Sequence, residues 1–198
     1  MPVLLDSRRL NRALLSRQML LERHCVSVSE AISLHIGLQA QAPNPPYFAL
    51  WNRIESFDQA DLSALFVSRQ VVRIALMRST IFLTTAQDCH DLRPLLQPAV
   101  HQTFLSGYAK RAVGLDLDAV ARAGRALVEE HPRTYKQLGE ELVKQWPDYE
   151  PIVLAEVIRS LVPLVQVPPR GIWGSSGPAA HTSAEHWLNR PLSDTPSI

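Results

Sequence analysis

The chain has 198 residues, 20 of them Lys or Arg and 19 Asp or Glu, and a formal net charge of +1. This length allows one domain or two small ones, and the near-neutral charge neither supports nor excludes a nucleic-acid partner. No apolar run is long enough to span a membrane and the N-terminus has no signal-peptide core. We therefore expect no membrane partner and a cytoplasmic location.

The cysteines and histidines do not predict a metal site. Cys25 and Cys89 lack the CxxC spacing, and the seven histidines show no HxxxH pattern. The sequence therefore predicts a reduced intracellular protein without a bound metal or other cofactor.

The basic residues are mostly arginine, since only Lys110, Lys136 and Lys144 of the 20 are lysines. Arginine makes forked hydrogen bonds to phosphate, which suits contact with nucleic acid. A bias in the coding sequence explains the excess equally well. Residues 7–23 predict an amphipathic helix whose arginines face either phosphate or solvent.

The next helix is predicted at residues 29–38, behind a capping box formed by Ser27 and Glu30. Gly37 weakens its end and Pro43 prevents its continuation. Gln39 and Gln41 therefore fall where the chain is extended, and side chains two residues apart in an extended segment point the same way. Two such amides can hold one water molecule or one polar base edge. The plainer alternative is that both bond to nearby backbone or face solvent.

The sequence predicts a first winged-helix unit at residues 1–86. Helices are expected at 47–54 and 59–68, followed by strands at 71–77 and 81–85 that form the wing. Residues 67–87 contain Arg69, Arg73 and Arg78 and no acidic residue. We interpret these arginines as a phosphate-binding surface.

The rest of the chain predicts a helical linker at 87–130, a second winged-helix unit at 131–178 and a tail at 179–198. In the second unit, helices at 134–146 and 152–161 precede a strand at 164–167 and a tight turn at 168–171. The turn contains Arg170, a further candidate for DNA contact, and Ile172 and Trp173 are expected to begin the return strand. The predicted class is mainly α with small β-hairpin wings (α+β), arranged as a tandem winged helix-turn-helix.

Four short motifs together resemble the AlkZ-like crosslink-repair DNA glycosylase family. They are a Gln-x-Gln segment, a Tyr-x-x-Leu-Trp-x-Arg segment, an Arg-x-x-Val-Arg strand and an Arg-Gly-Thr-x-His turn. In this sequence the motifs lie at residues 39–41, 47–53, 69–73 and 78–82. The turn departs from the family pattern, because Ser79 replaces Gly and Phe82, which can neither donate nor accept a proton, replaces His.

The resemblance implies a tandem winged-helix protein that excises bulky or crosslinked alkylpurines as a monofunctional DNA glycosylase. Gln39 and Gln41 would position the water that attacks the sugar carbon. The expected partner is double-stranded DNA, bound without regard to sequence by a nucleoid-associated monomer. Full-length members of the family continue with a further winged helix and a β-barrel, so we expect this chain to be truncated before them.

Two other functions remain open at this stage. The chain can be a non-catalytic winged-helix DNA-binding protein or regulator, or a winged-helix module that binds protein. Release of an alkylated base separates the enzyme from both alternatives, and salt-dependent DNA binding separates the two alternatives from each other.

Overall fold

The computed structural model describes residues 6–193; residues 1–5 and 194–198, the outer ends of the first predicted unit and of the tail, lie outside the described residues. The chain is mainly helical with a small antiparallel sheet, which confirms the predicted α+β class. The helices in residues 6–193 are α1 Ser7–Arg17, α2 Val28–Leu34, α3 Pro45–Trp51, α4 Gln59–Val67, α5 Ala86–Gly107, α6 Leu117–Glu130, α7 Tyr135–Leu142, α8 Pro151–Leu161 and α9 Ala184–Leu188. The strands are β1 Leu38–Gln39, β2 Val71–Ala75, β3 Ile81–Thr85, β4 Leu164–Gln166 and β5 His181–Ser183.

Two helices begin at capping boxes that satisfy backbone donors at the helix start. Ser27 accepts a hydrogen bond from the backbone N–H of Glu30, whose carboxylate accepts from the backbone N–H of Ser27. Thr134 and Gln137 make the same reciprocal pair at the start of α7. The Ser27–Glu30 box agrees with the sequence prediction, and the two boxes fix where α2 and α7 begin.

The five strands form one antiparallel sheet in the order β1-β3-β2-β4-β5. Strand β2 pairs with β3 on one side and with β4 on the other, so that Arg73 lies opposite Leu83 and also opposite Gln166. The strands predicted at 71–77 and 164–167 are present as β2 and β4. Strands from both predicted units therefore belong to the same sheet, with the β2–β4 pair as the junction.

The predicted return strand at Ile172 and Trp173 is wrong. The next strand in the chain, which pairs with the other edge of β4, is β5, and it begins at His181 after a long loop. Two successive prolines, Pro168 and Pro169, follow β4 and offer no backbone N–H for strand pairing, so the chain turns away before it returns. Part of the predicted tail is therefore a buried strand, followed by α9.

Helix α5 is continuous through Pro94 and Pro98. One predicted helix bound differs from the structure. The predicted helix at 7–23 ends at Arg17, and Met19 adopts φ 53°, which no α-helix contains. No helix in residues 6–193 is both long and apolar enough to cross a membrane.

Helices pack on both faces of the sheet. Val71 and Leu83 point into a cluster with α2, α3 and α4, whereas Val72 and Ile74 point into a cluster with α5 and α9. Successive side chains of a strand point to opposite faces, so these clusters lie on opposite sides of the sheet. A third cluster joins α6, α7 and α8. In contrast, α1 contains no buried residue.

Candidate functional site

The two glutamines predicted as catalytic lie on an extended segment at one edge of the sheet. Helix α2 ends in a reversal at Ile36 and Gly37, which have φ values of 57° and 112°. A Cβ added to Gly37 would lie 2.9 Å from the carbonyl oxygen of Leu83, so only glycine fits this approach to β3. The reversal brings the chain directly into β1, which pairs Gln39 with Phe82.

Burial alternates along this segment. Leu38 and Ala40 are buried, whereas Gln39 and Gln41 are exposed. Alternating burial is typical of an extended strand with one covered face. The backbone is non-helical at both glutamines, as the sequence predicts, with Gln39 in β1 and Gln41 at a bend two residues later.

The side chain of Gln41 accepts a hydrogen bond from β3 that a backbone carbonyl of a paired strand would otherwise accept. The backbone N–H of Ala40 donates to the carbonyl oxygen of Ile81 over 2.8 Å, as in a strand pair. The backbone N–H of Ile81, however, donates to Oε1 of Gln41 over 3.1 Å. Within residues 6–193, neither Nε2 of Gln41 nor the side-chain amide of Gln39 forms a hydrogen bond with any other group. The Gln41 side chain is therefore held in place while its NH₂ group remains available.

Arg73 anchors the backbone between and after the glutamines. Its Nη2 donates to the carbonyl oxygen of Ala40 over 2.6 Å, and its Nη1 lies 3.4 Å from the carbonyl oxygen of Ala42. Its Nε donates to Oε1 of Gln166 over 3.1 Å. Burial lowers the pKa of Arg73 to about 10. The guanidinium therefore belongs to the interior and spans from the glutamine segment to β4.

This placement contradicts the prediction that Arg73 contacts DNA phosphate. Its side chain has 0% relative exposure, and every nitrogen of its guanidinium group already has a protein acceptor. A phosphate can reach this group only after the strands separate. The prediction was wrong because the sequence does not distinguish a strand arginine that faces solvent from one that donates to buried carbonyl groups.

The other three predicted DNA-contact arginines lie in different surroundings. Arg69 is exposed, stacks on the ring of Trp187 at 4.3 Å and donates to the carbonyl oxygen of Trp187 over 3.0 Å. Arg78 is exposed in a 3-10 turn, Met77–Ser79, at the far end of β2. Arg170 is half-buried and donates to the carbonyl oxygen of Gly177 over 3.1 Å. Arg69 and Arg78 thus flank β2 at its two ends instead of forming one cluster.

The two residues that depart from the family turn motif lie in the 3-10 turn after β2 and in β3. Phe82 is buried and lies across the strand pair from Gln39. Ser79 adopts φ 57°, a left-handed conformation that glycine takes without strain. Arg159 donates to the carbonyl oxygen of Ser79 over 3.2 Å, so α8 holds the turn.

A groove beside Gln39 contains a residue that the sequence reasoning did not select. The groove has a volume of about 440 Å³, and its lining includes Arg17, His35, Gln39 and Arg53. Arg53 is the last residue of the Tyr-x-x-Leu-Trp-x-Arg motif, and its position there was the only signal for it. Within residues 6–193 the structure shows no group of three or more His, Cys, Asp or Glu side chains arranged to hold a metal ion.

The AlkZ-like DNA glycosylase family model matches residues 33–197. The chain belongs to this family. The match includes the glutamine segment, the Arg73 anchor and both halves of the sheet. No curated protein matches the sequence.

The structure is similar to that of the DNA glycosylase AlkZ of Streptomyces sahachiroi, with a TM-score of 0.66 and 17% sequence identity. The match covers 92% of this chain and 50% of the AlkZ chain. The chain thus spans about half the length of that protein. At this identity the similarity concerns the fold.

Proposed function

We propose that the protein is a monofunctional DNA glycosylase that removes bulky or crosslinked alkylpurines from duplex DNA. Gln39 and Gln41 hold the water that attacks the sugar carbon as the base leaves. The observation that carries this proposal is the exposed pair of amides on a segment fixed by Arg73, in a chain of the AlkZ-like DNA glycosylase family.

The chemistry suits neutral amides because the substrate supplies much of the driving force. Cleavage of a glycosidic bond passes through an oxocarbenium-like transition state. A purine alkylated on a ring nitrogen carries a positive charge and departs as a neutral molecule, so strong base catalysis is not required. The amides of Gln39 and Gln41 cannot take up a proton near neutral pH, but they can orient a water molecule at the reacting carbon.

The DNA-binding part of the proposal is a tandem winged helix. Helices α2, α3 and α4 precede the β2–β3 hairpin, and helices α7 and α8 precede the β4–β5 pair. This order supports two winged-helix units that share one sheet. Exposed Arg78 at the hairpin turn, with Arg69 and Arg170, contacts phosphates, and such contacts carry no sequence information. The protein acts as a monomer on nucleoid DNA.

A non-catalytic DNA-binding role is the second candidate, and two observations favour it. Oε1 of Gln41 already accepts a hydrogen bond from Ile81, which leaves this amide fewer ways to hold water. Buried Phe82 replaces the family histidine and can neither donate nor accept a proton.

Single-turnover base release from duplex DNA containing an N7-alkylguanine separates the two candidates. The enzyme is expected to release the base, and replacement of Gln41 by Asp should preserve more activity than replacement by Ala, since a carboxylate also holds water. DNA binding without base release above the uncatalysed rate would favour the non-catalytic role.

A further inference from the structure

The groove beside Gln39 has the charge expected of an anion site. Its lining contains two arginines, Arg17 and Arg53, and the imidazole of His35, but no carboxylate. Arg17 is the last residue of α1 and is exposed, whereas Arg53 follows α3 and is only 8% exposed. The two cations therefore line the same groove from different parts of the chain, one exposed and one buried.

Arg53 is a buried cation without an anionic partner. Its Nε donates to Nε2 of His35 over 3.2 Å, and its Nη1 donates to the carbonyl oxygen of Ala49 over 2.8 Å. No Asp or Glu oxygen in residues 6–193 lies within ion-pair distance of its guanidinium, and burial lowers the pKa of Arg53. A charge in this environment is stabilised by an opposite charge, and the groove is where one can enter.

A structural role explains only part of this arrangement. The bond to Ala49 satisfies a carbonyl near the end of α3, as arginines near helix C-termini often do. The bond to His35 ties that end to the end of α2. Within residues 6–193, however, Nη2 of Arg53 has no hydrogen-bond acceptor. One edge of the guanidinium thus remains free to bind a ligand.

The charge of the groove also indicates which part of a nucleotide it accepts. An alkylated purine that is ready to leave carries a positive charge, and two arginines would repel it. A phosphodiester is an anion, and its oxygens match the forked donors of a guanidinium. Leu34 and Ile36, 66% and 54% exposed, line the same groove and would displace water from around such a pair.

We propose that Arg53 and Arg17 bind one backbone phosphate of DNA in this groove, next to Gln39. The bound phosphate belongs to the strand whose glycosidic bond Gln39 faces, so the contact sets the position of that sugar relative to the amide. This assignment rests on the proposed function for the identity of the strand, while the phosphate contact itself is testable without base release.

The first test measures how duplex binding depends on salt for the whole chain. Each phosphate contact contributes about −0.9 to the slope of log K against log salt concentration. R53M should lose the contact and reduce the steepness of the slope by roughly that amount for every DNA sequence, whereas R17M, which only weakens the contact, should reduce the steepness by less. R122M is the matched control, because Arg122 is an exposed arginine on α6, away from the groove lining. It should leave the slope near that of the unmodified chain.

The second test detects the site directly and does not depend on duplex binding. Dimethyl phosphate is titrated into the ¹⁵N-labelled chain while the backbone amides of Gly37 and Gln39 and the Nε–H of Arg53 are followed by NMR. We expect saturable shifts that disappear in R53M, weaken in R17M and persist in R122M. R17M keeps the test decisive if R53M unfolds, because Arg17 is exposed at the end of α1.

The outcomes separate this inference from the proposed activity. If the chain releases no base but the groove shifts and the slope changes persist, the glycosylase proposal fails and the phosphate site stands. If the chain releases base while dimethyl phosphate leaves the groove amides unmoved, or while the slopes of R17M and R53M match the unmodified chain, the phosphate site is overturned.

Discussion

Arg73 donates from Nη2 to the carbonyl oxygen of Ala40 over 2.6 Å, and Ala40 is the residue between the two glutamines. The donor lies on the central strand β2, and the acceptor lies at the exposed edge of the sheet. The same guanidinium bonds to Gln166 on β4. The position of the candidate catalytic segment is thus set from the interior by a residue that pairs with both halves of the sheet.

Replacement of Arg73 by Met should destabilise the fold and not act through lost phosphate contacts. The variant leaves the carbonyl oxygen of Ala40 and the amide of Gln166 without their partner, for which we expect a loss of about 2–4 kcal/mol in the free energy of unfolding. Urea denaturation measures it, with R122M as a surface control that changes little. Unchanged stability together with weaker DNA binding would restore the phosphate role for Arg73.

Replacement of Gly171 by Ala should disturb the same anchor from the other side. Gly171 has φ 102°, and a Cβ there would lie 3.0 Å from Cδ of Arg73 and 3.1 Å from Cζ of Phe66. Gly174 is the matched control, since it has φ 71° and nothing within 4 Å of its Cβ position. In both variants an alanine must adopt a positive φ, which should lower the free energy of unfolding by about 1–2 kcal/mol. G171A should lower it further because of the steric clash. Equal losses on urea denaturation would show that the clash relaxes freely.

The two glutamines should differ in their effect on stability. Q41A removes the acceptor for the backbone N–H of Ile81, so we expect a loss of about 1 kcal/mol. Q39A removes an exposed side chain that makes no hydrogen bond within residues 6–193, and its unfolding curve should overlay that of the unmodified chain. The comparison requires only thermal or urea unfolding. A larger loss in Q39A than in Q41A would contradict the observed bond.

Replacement of Arg78 by Ala should weaken DNA binding without changing stability. Arg78 is exposed in the turn between β2 and β3, so its loss should reduce affinity for all duplex sequences alike. The salt slope should become less steep by about 0.9. Binding titrations at several salt concentrations with two unrelated duplexes provide the measurement. A loss confined to one duplex would indicate base recognition instead.

His181 should make the fold sensitive to mild acid. Burial, with smaller contributions from Arg170 and Arg159, lowers the pKa of His181 from 6.5 to about 4. The folded state therefore binds the proton less readily than the unfolded state. The free energy of unfolding should have its full value above pH 6.5. It should fall as the pH drops towards 4, by at most about 3 kcal/mol.

H181F is the matched variant for this prediction. It keeps an aromatic ring that can stack on Tyr135, whose ring lies 4.2 Å from that of His181, and it removes the titrating group. The unfolding free energy of H181F should change less between pH 7 and pH 5 than that of the unmodified chain. Identical pH profiles would exclude His181 as the source of the effect.

Local signals predicted the elements where the residue type fixes the backbone. The Ser27–Glu30 and Thr134–Gln137 boxes mark helix starts, and Gly37 marks the reversal before the glutamines. Each of these features depends on neighbours within a few residues, so the sequence contains the necessary information. The strands at β2 and β4 were predictable for the same reason, from runs of β-branched and apolar residues.

Features set by distant partners could not be read in the same way. Arg73 was assigned to the surface because nothing local shows that its acceptors are Ala40 and Gln166. The strand β5 was missed because His181 to Ser183 follow a stretch rich in Ser, Gly and Pro, and only pairing with β4 makes them a strand. The groove at Arg53 likewise arises from α1, α2 and α3 meeting beside β1.

The most direct test of the central claim is single-turnover base release by the unmodified chain and by the Q39A/Q41A double variant, on duplex DNA containing an N7-alkylguanine. If the glutamines position the water, the double variant should lose base release while its DNA affinity stays within a few-fold, because the lost interaction acts mainly in the transition state. Base release by the double variant at the rate of the unmodified chain would remove the glutamines from the mechanism.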